Sequence, residues 1–211
     1  MTYQPIYLEL KSRRCLIVGG GEVAARRAIN LLAHEADVVV VAPEIVESLR
    51  GLAAQSAITW NPCPYNSSFI NGMTLAVAAT NVPEVNDQVS IDARSAGILL
   101  CRADRSGEGD FIFPAVLERG SLTLSVATQG ASPTLTAVLL EQLADQSGPE
   151  WSTIVELCKT IRDDTKTRSA GAEARKAAIR RILADEEIRK LLNDGKIQEA
   201  EARARECLLL S

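Results

Sequence analysis

The chain has 211 residues, 46% of them hydrophobic and 24% charged, enough for one full domain and a smaller appendage, which excludes disordered and collagen-like chains. Twenty-three Lys and Arg against 27 Asp and Glu give a net charge of −4, which argues against nucleic acid as a partner but leaves room for a local basic patch. In chain order, residues 15–18 predict a first strand. After three glycines, Ala24, Ala28, Leu31 and Leu32 recur at helical spacing, and residues 38–41 are a continuous apolar run suited to a strand buried on both faces. Residues 45–55 predict a second helix, 58–60 a short strand, 75–79 another buried strand, 84–96 a helix and 99–102 a further strand. Strands alternating with helices in this way imply an α/β, Rossmann-type domain with a parallel sheet over residues 1–113.

From Phe111 the texture changes. Residues 121–127 alternate, and Gly130-Ala131-Ser132-Pro133 opens a helix over 134–145, so residues 114–147 are expected to form a small α+β linking domain. Ser147-Gly148-Pro149 then breaks the chain, and residues 148–211 read as helical. Trp151, Ile154, Val155 and Cys158 fall on one helix face; Ile197, Ala200, Ala204 and Leu208 do so after a stop at Asn193-Asp194-Gly195. Cys15, Cys63, Cys101, Cys158 and Cys207 form no close pair, so neither a zinc site nor a disulfide framework is expected. His34 is the sole histidine, which removes two-imidazole mechanisms; it is expected to be a partly buried structural residue. No metal-ligating set is assigned. Without a signal pattern or a bilayer-length apolar run, the chain reads as cytoplasmic, with no membrane partner.

Val18-Gly19-Gly20-Gly21-Glu22-Val23-Ala24 follows a strand, opens a helix and fits G-x-G-x-x-A, with Gly19, Gly21 and Ala24 in the small positions. Gly19 permits the tight turn, Gly21 lets the backbone approach a pyrophosphate, and Ala24 lets the helix pack close to the sheet with its positive end on the phosphates. The ribose-binding acid expected about 20 residues later is represented by Glu44, slightly past the strand tip in Val41-Ala42-Pro43-Glu44; a solvated loop acid is the alternative. No Arg follows closely to receive a 2′-phosphate, which favours NAD over NADP. Ala78-Ala79-Thr80-Asn81 would set small residues and a hydroxyl beside the cofactor, unless it is a plain strand-ending turn.

Five ordered motifs carry a resemblance. Ile17 to Arg27 around the glycines, Val40-Val41-Ala42-Pro43-Glu44, Ala78-Ala79-Thr80, Asp110-Phe111-Ile112-Phe113-Pro114-Ala115 and Thr128-x-Gly130-x-Ser132-Pro133 resemble the precorrin-2 dehydrogenase and sirohydrochlorin ferrochelatase family, the module that begins siroheme synthases. The likeness runs from about Pro5 to Glu141 and implies oxidation of precorrin-2 to sirohydrochlorin with NAD⁺, followed in many members by insertion of Fe²⁺ as a substrate. It implies nucleotide contacts at Gly21, Glu22, Val23, Pro43, Glu44 and Thr80, a key acid at Asp104, and a homodimer whose linking domains swap contacts around each active site. The usual Asn-Val-x-Asp stands here as Cys101-Arg102-Ala103-Asp104.

Dehydrogenation releases a hydride and a proton, so one carboxylate base suffices, and Asp104 follows a strand at the edge where such folds bind ligands. Asp110 is the alternative, or a turn cap. Metal insertion would use the macrocycle's nitrogens as ligands, with Asp104 accepting a proton. Thr128, Gly130 and Ser132 could receive a substrate carboxylate, and Ser132 could cap the helix that follows; both can hold at once. Arg162, Lys166, Arg168, Arg175, Lys176, Arg180 and Arg181 make a basic patch that would suit a polycarboxylate ligand or simply be a solvated face. A chain of this length has no room for a methyltransferase domain, so methylation is expected from another protein. Two further readings stay open: a dehydrogenase without chelatase activity, and a non-catalytic sensor of NAD or tetrapyrrole.

Overall fold

A computed structural model describes residues 3–105, 107–148, 150–166 and 171–209, without the side chains of 160–166 and 207–209. The chain divides into two compact units, Met1–Phe113 and Pro114–Ser211.

The first unit alternates β1 (Arg14–Val18), α1 (Glu22–Ala33), β2 (Asp37–Val41), α2 (Glu47–Ala54), β3 (Ile58–Asn61), β4 (Leu75–Ala78), α3 (Pro83–Ala96) and β5 (Leu99–Arg102). All pairings in its five-stranded sheet are parallel, in the order β3-β2-β1-β4-β5. The apolar runs behave as a doubly covered sheet demands. Ile17, Val40 and Val77 are fully buried on one face, and Leu16, Val39 and Ala76 pack on the other. Each such Val or Ile contributes roughly 1.5–3 kcal/mol by leaving water.

The register fixes the working edge. Val18 lies level with Val41 on one side and Ala78 on the other, and Ala78 lies level with Arg102. The carboxyl ends of four strands therefore finish in one line. Chain order reverses between β1 and β4, the topological switch point at which open parallel sheets bind ligands.

The second unit has an antiparallel hairpin, β6 (Ala115–Arg119) and β7 (Leu122–Val126), followed by α4 (Pro133–Gln146), α5 (Glu150–Lys166), α6 (Ala172–Ala184), α7 (Glu186–Asn193) and α8 (Ile197–Leu209). Its core gathers Ile154, Leu157, Ile182, Ile188, Leu191, Leu192, Ala200 and Ala204. No residue of α4 is buried within the chain, and Leu135 and Val138 on it are 49% and 43% exposed.

Two expectations need correction, and one strand is added. His34 is exposed, not partly buried: it caps the carboxyl end of α1, and its Nδ1 lies 2.8 Å from the Asn30 carbonyl oxygen. Ile197 opens α8 at 48% exposure and does not join the buried face of Ala200 and Ala204. Strand β6 was not foreseen, because its mixed polar and apolar residues are all only partly covered or exposed. Among the described residues no helix is long and apolar enough to cross a membrane.

Candidate functional site

The glycine loop leaves β1 at the switch point. Gly19 adopts φ +130°, and its amide donates to the Val41 carbonyl at 3.0 Å. A Cβ on Gly19 would collide with the Ala79 carbonyl oxygen, so glycine here both makes the turn and lets the ends of β1 and β4 close up. A Cβ on Gly20 would collide with the Glu44 carbonyl oxygen, and the Gly20 carbonyl accepts from Val46 N at 2.8 Å. The motif treats this position as free; the packing of the β2 loop makes it glycine. Gly21 differs from both. It is the residue before the first turn of α1, has ordinary extended backbone, and a Cβ there would meet no atom within 4 Å.

That open space lies at the amino end of a 12-residue helix whose first-turn N–H groups point outward, as a pyrophosphate requires. Glu22 and Val23 are exposed on this turn, whereas Ala24 is fully buried and lets α1 lie against the sheet. Pro43 and Glu44 are exposed just beyond β2. The residues present thus fit a dinucleotide: Gly21, Glu22 and Val23 would hold its phosphates, and Pro43 and Glu44 would border its ribose.

Thr80 follows β4 and is held by Asn86, a residue that sequence reasoning missed. Asn86 is 1% exposed on α3; its Oδ1 accepts from Thr80 N at 3.2 Å and Thr80 Oγ1 at 2.8 Å, and its Nδ2 donates to the Thr80 carbonyl at 3.0 Å. A buried amide spending both ends on one neighbour fixes that neighbour's loop. Asn86 also hydrogen-bonds the Asp104 carboxylate, which ties the β4 and β5 ends together.

Asp104 lies two residues past β5. Both its oxygens accept from Arg102, Nε to Oδ1 at 2.9 Å and Nη2 to Oδ2 at 2.7 Å. The Arg102 side chain is 2% exposed, and its Nη1 also donates to Asp87 at 2.6 Å and Ser90 Oγ at 3.1 Å. The fork lowers the Asp104 pKa to about 2, with Asn86 assisting and partial burial opposing. Asp104 is therefore an ionised carboxylate throughout the physiological range. Neighbouring Cys101 is buried, and burial pushes its thiol up to about 11, so it supplies no thiolate.

Asp110, the alternative acid, is committed elsewhere. Its N donates to the Leu100 carbonyl at 2.7 Å and its Oδ2 accepts from Leu100 N at 2.9 Å, pinning the following segment along the free edge of β5. Phe113 from the same motif lies under the Arg27 guanidinium, 4.2 Å from ring centroid to cation.

Thr128, Gly130 and Ser132 belong to the second unit. Gln129 and Gly130 have φ of +52° and +85°, turning β7 into α4. Ser132 Oγ accepts from Leu135 N at 3.1 Å, and Thr128 Oγ1 accepts from Ser132 N at 3.2 Å, so the helix cap expected of Ser132 is present. Of the basic patch, Arg175, Lys176, Arg180 and Arg181 lie on α6. Arg168 and the side chains of Arg162 and Lys166 lie outside the described residues.

The sheet order, the glycine loop and the ligand-facing strand ends define a dinucleotide-binding module of the Rossmann type. A family model described as "Putative NAD(P)-binding" matches residues 6–115. The siroheme synthase of Chromobacterium violaceum is 38% identical over 176 residues, covering 83% of this chain and 37% of the relative. That of Nitrosomonas europaea is 36% identical over 184 residues, covering 87% and 39%. The chain thus spans about two fifths of the length of these curated relatives. A solved structure, SirC, precorrin-2 dehydrogenase, matches with a TM-score of 0.76 and 25% identity, over 97% of this chain and 100% of that one. The chain belongs to this NAD(P)-binding family, in the group that holds the siroheme synthases and precorrin-2 dehydrogenase, and a nicotinamide dinucleotide of the NAD(P) type is the cofactor the family binds.

Proposed function

We propose that this chain oxidises precorrin-2 to sirohydrochlorin with NAD⁺, Asp104 acting as the base. One observation carries the reading: a carboxylate gripped by the Arg102 fork stands beyond β5 on the same sheet edge as the glycine loop, in a relative of a precorrin-2 dehydrogenase. The bound cofactor supplies the hydride acceptor. Once a hydride leaves the macrocycle for the cofactor, the conjugated cation that remains is strongly acidic, so a carboxylate of low basicity is sufficient to take the one proton it loses. Gly19, Gly21, Glu22, Val23, Ala24, Pro43, Glu44 and Thr80 form the nucleotide site; the lack of an Arg within the few residues after Pro43-Glu44 favours NAD over NADP. Thr128, Gly130 and Ser132 are the groups proposed to receive a substrate carboxylate.

Insertion of Fe²⁺ into sirohydrochlorin is the second activity proposed, with the same carboxylate accepting an inner proton. A dehydrogenase without it is favoured by the Arg102 fork, which occupies both Asp104 oxygens and weakens the base where a pyrrole N–H must be deprotonated. The exposed apolar residues of α4 support a homodimer formed through residues 114–147, the hairpin and α4 being part of the compact unit that also holds the helices of 148–211. The test is anaerobic incubation of the purified protein with precorrin-2 and NAD⁺, following the sirohydrochlorin spectrum, then addition of Fe²⁺ or Co²⁺. Sirohydrochlorin formation supports the dehydrogenase, and its absence refutes it. Metal-dependent spectral change no faster than the uncatalysed rate removes the chelatase.

A further inference from the structure

The buried guanidinium beside the candidate base is too heavily committed to be a surface ion pair. Arg102 ends β5 with its side chain 2% exposed, and four of its N–H directions are used: two on Asp104, one on Asp87 and one on Ser90. Asp87 and Ser90 lie on α3, so Arg102 links the loop after β5 to that helix. Arg94 of α3 and Asp110 line the same pocket as Arg102, and the ion-paired groups are nearer. From α3 come Asp87, with the neutral Asn86 and Ser90; from the loop after β5 come Arg105 and Glu108, paired at 3.2 Å, with Arg105 3.5 Å from Asp87 and Glu108 3.9 Å from Arg102; Thr80 approaches from the β4 loop through Asn86. Three carboxylates thus share two guanidinium groups, and of the two only Arg102 pairs with Asp104 among the described residues.

We infer that Arg102 is a positioning residue for the reaction: its planar fork fixes the Asp104 carboxylate in one orientation at the carboxyl edge of the sheet. The inference rests on the proposed role of Asp104. A planar fork aligns both carboxylate oxygens at once, which a flexible ammonium does not. Without the fork, Asp104 would face Asp87 and Glu108 with one cation between them, so it would rotate and hold its proton to higher pH.

The experiment compares wild type, Arg102→Lys and Arg102→Met labelled with [¹³Cγ]aspartate, with Asp104→Asn identifying the resonance. NADH production from precorrin-2 and NAD⁺ affinity are measured on the same samples. In the wild type the Asp104 signal stays ionised down to about pH 3, whereas in Arg102→Met its midpoint rises to the ordinary carboxylate value of about 4 or above. The turnover rate in both Arg102 variants falls by between about 10- and 100-fold, as for a misplaced catalytic group, while NAD⁺ affinity stays within about twofold. Arg102→Lys keeps the charge and serves if Arg102→Met does not fold; a merely structural role predicts that Lys restores full turnover, which would overturn the inference. So would an Asp104 midpoint or a turnover rate unchanged in the variants. Asp104→Asn at wild-type rate would instead refute the role of Asp104, and with it the catalytic part of this inference, whatever the titration shows.

Discussion

Gly20 and Gly21 are adjacent and chemically identical, yet the packing assigns them different work, and replacing each by alanine separates fold from ligand. In Gly20→Ala the new methyl collides with the Glu44 carbonyl, which belongs to backbone and cannot swing aside. Overpacking of this kind costs about 1–3 kcal/mol, which for a domain of this size lowers Tm by roughly 5–15 °C. In Gly21→Ala the methyl enters open space from an extended backbone that alanine adopts freely. Stiffening the unfolded chain gains about 0.4–1 kcal/mol, and alanine before a helix loses a similar few tenths to 1 against glycine. Tm should therefore move by no more than about 3 °C. The same methyl stands where a pyrophosphate must reach the α1 amides; losing about 2 kcal/mol of that contact weakens NAD⁺ binding roughly 30-fold. Thermal melting and calorimetric titration with NAD⁺ measure both. A Gly21→Ala protein that binds NAD⁺ within threefold of wild type, or a Gly20→Ala protein with unchanged Tm, refutes this assignment of the loop.

Three more outcomes follow from the geometry. Asp104 has a folded pKa of about 2 against 3.8 for the free group, so its pairing stabilises the fold fully above the unfolded value and the gain is lost as pH falls through about 2. With a quarter-exposed side chain this is about 1–2 kcal/mol after solvent screening; urea unfolding of Asp104→Asn should trail wild type by that amount at pH 6, with the gap narrowing towards pH 3. Asn86→Ala leaves the Thr80 turn unheld at a 1% exposed position and should cost about 1–3 kcal/mol by the same assay, with weaker NAD⁺ binding. Val138→Glu, at a position 43% exposed in the single chain, should leave the melting temperature intact but halve the mass seen by sedimentation if α4 forms the homodimer.

The parallel sheet was legible because each of its strands near the switch point is an uninterrupted apolar run: Val38 to Val41 and Leu75 to Ala78 could hardly be anything else between helices. The hairpin strand β6 was not, since Ala-Val-Leu-Glu-Arg carries no clean alternation and neither face is deeply covered. The helical tail was read as such, but not the break at Asp185, whose carboxylate caps α7 by accepting from Glu187 N and Ile188 N. At the site, glycine spacing identified Gly19, Gly21 and Ala24, while the need for glycine at position 20 comes from a loop two dozen residues away. Asp104 was found by its place after a strand; Arg102 stood beside it in the sequence as an unusual neighbour, and its partner Asp87, 15 residues earlier, is visible only once α3 and β5 are packed.

The central claim is tested most directly by absorbance at 340 nm during anaerobic incubation of the protein with NAD⁺ and precorrin-2, wild type beside Asp104→Ala. The account predicts NADH that appears only with precorrin-2 and slows sharply in the variant while its NAD⁺ affinity is retained. No NADH from a wild-type protein that binds NAD⁺ normally would contradict it and leave a module that binds the cofactor without turning it over.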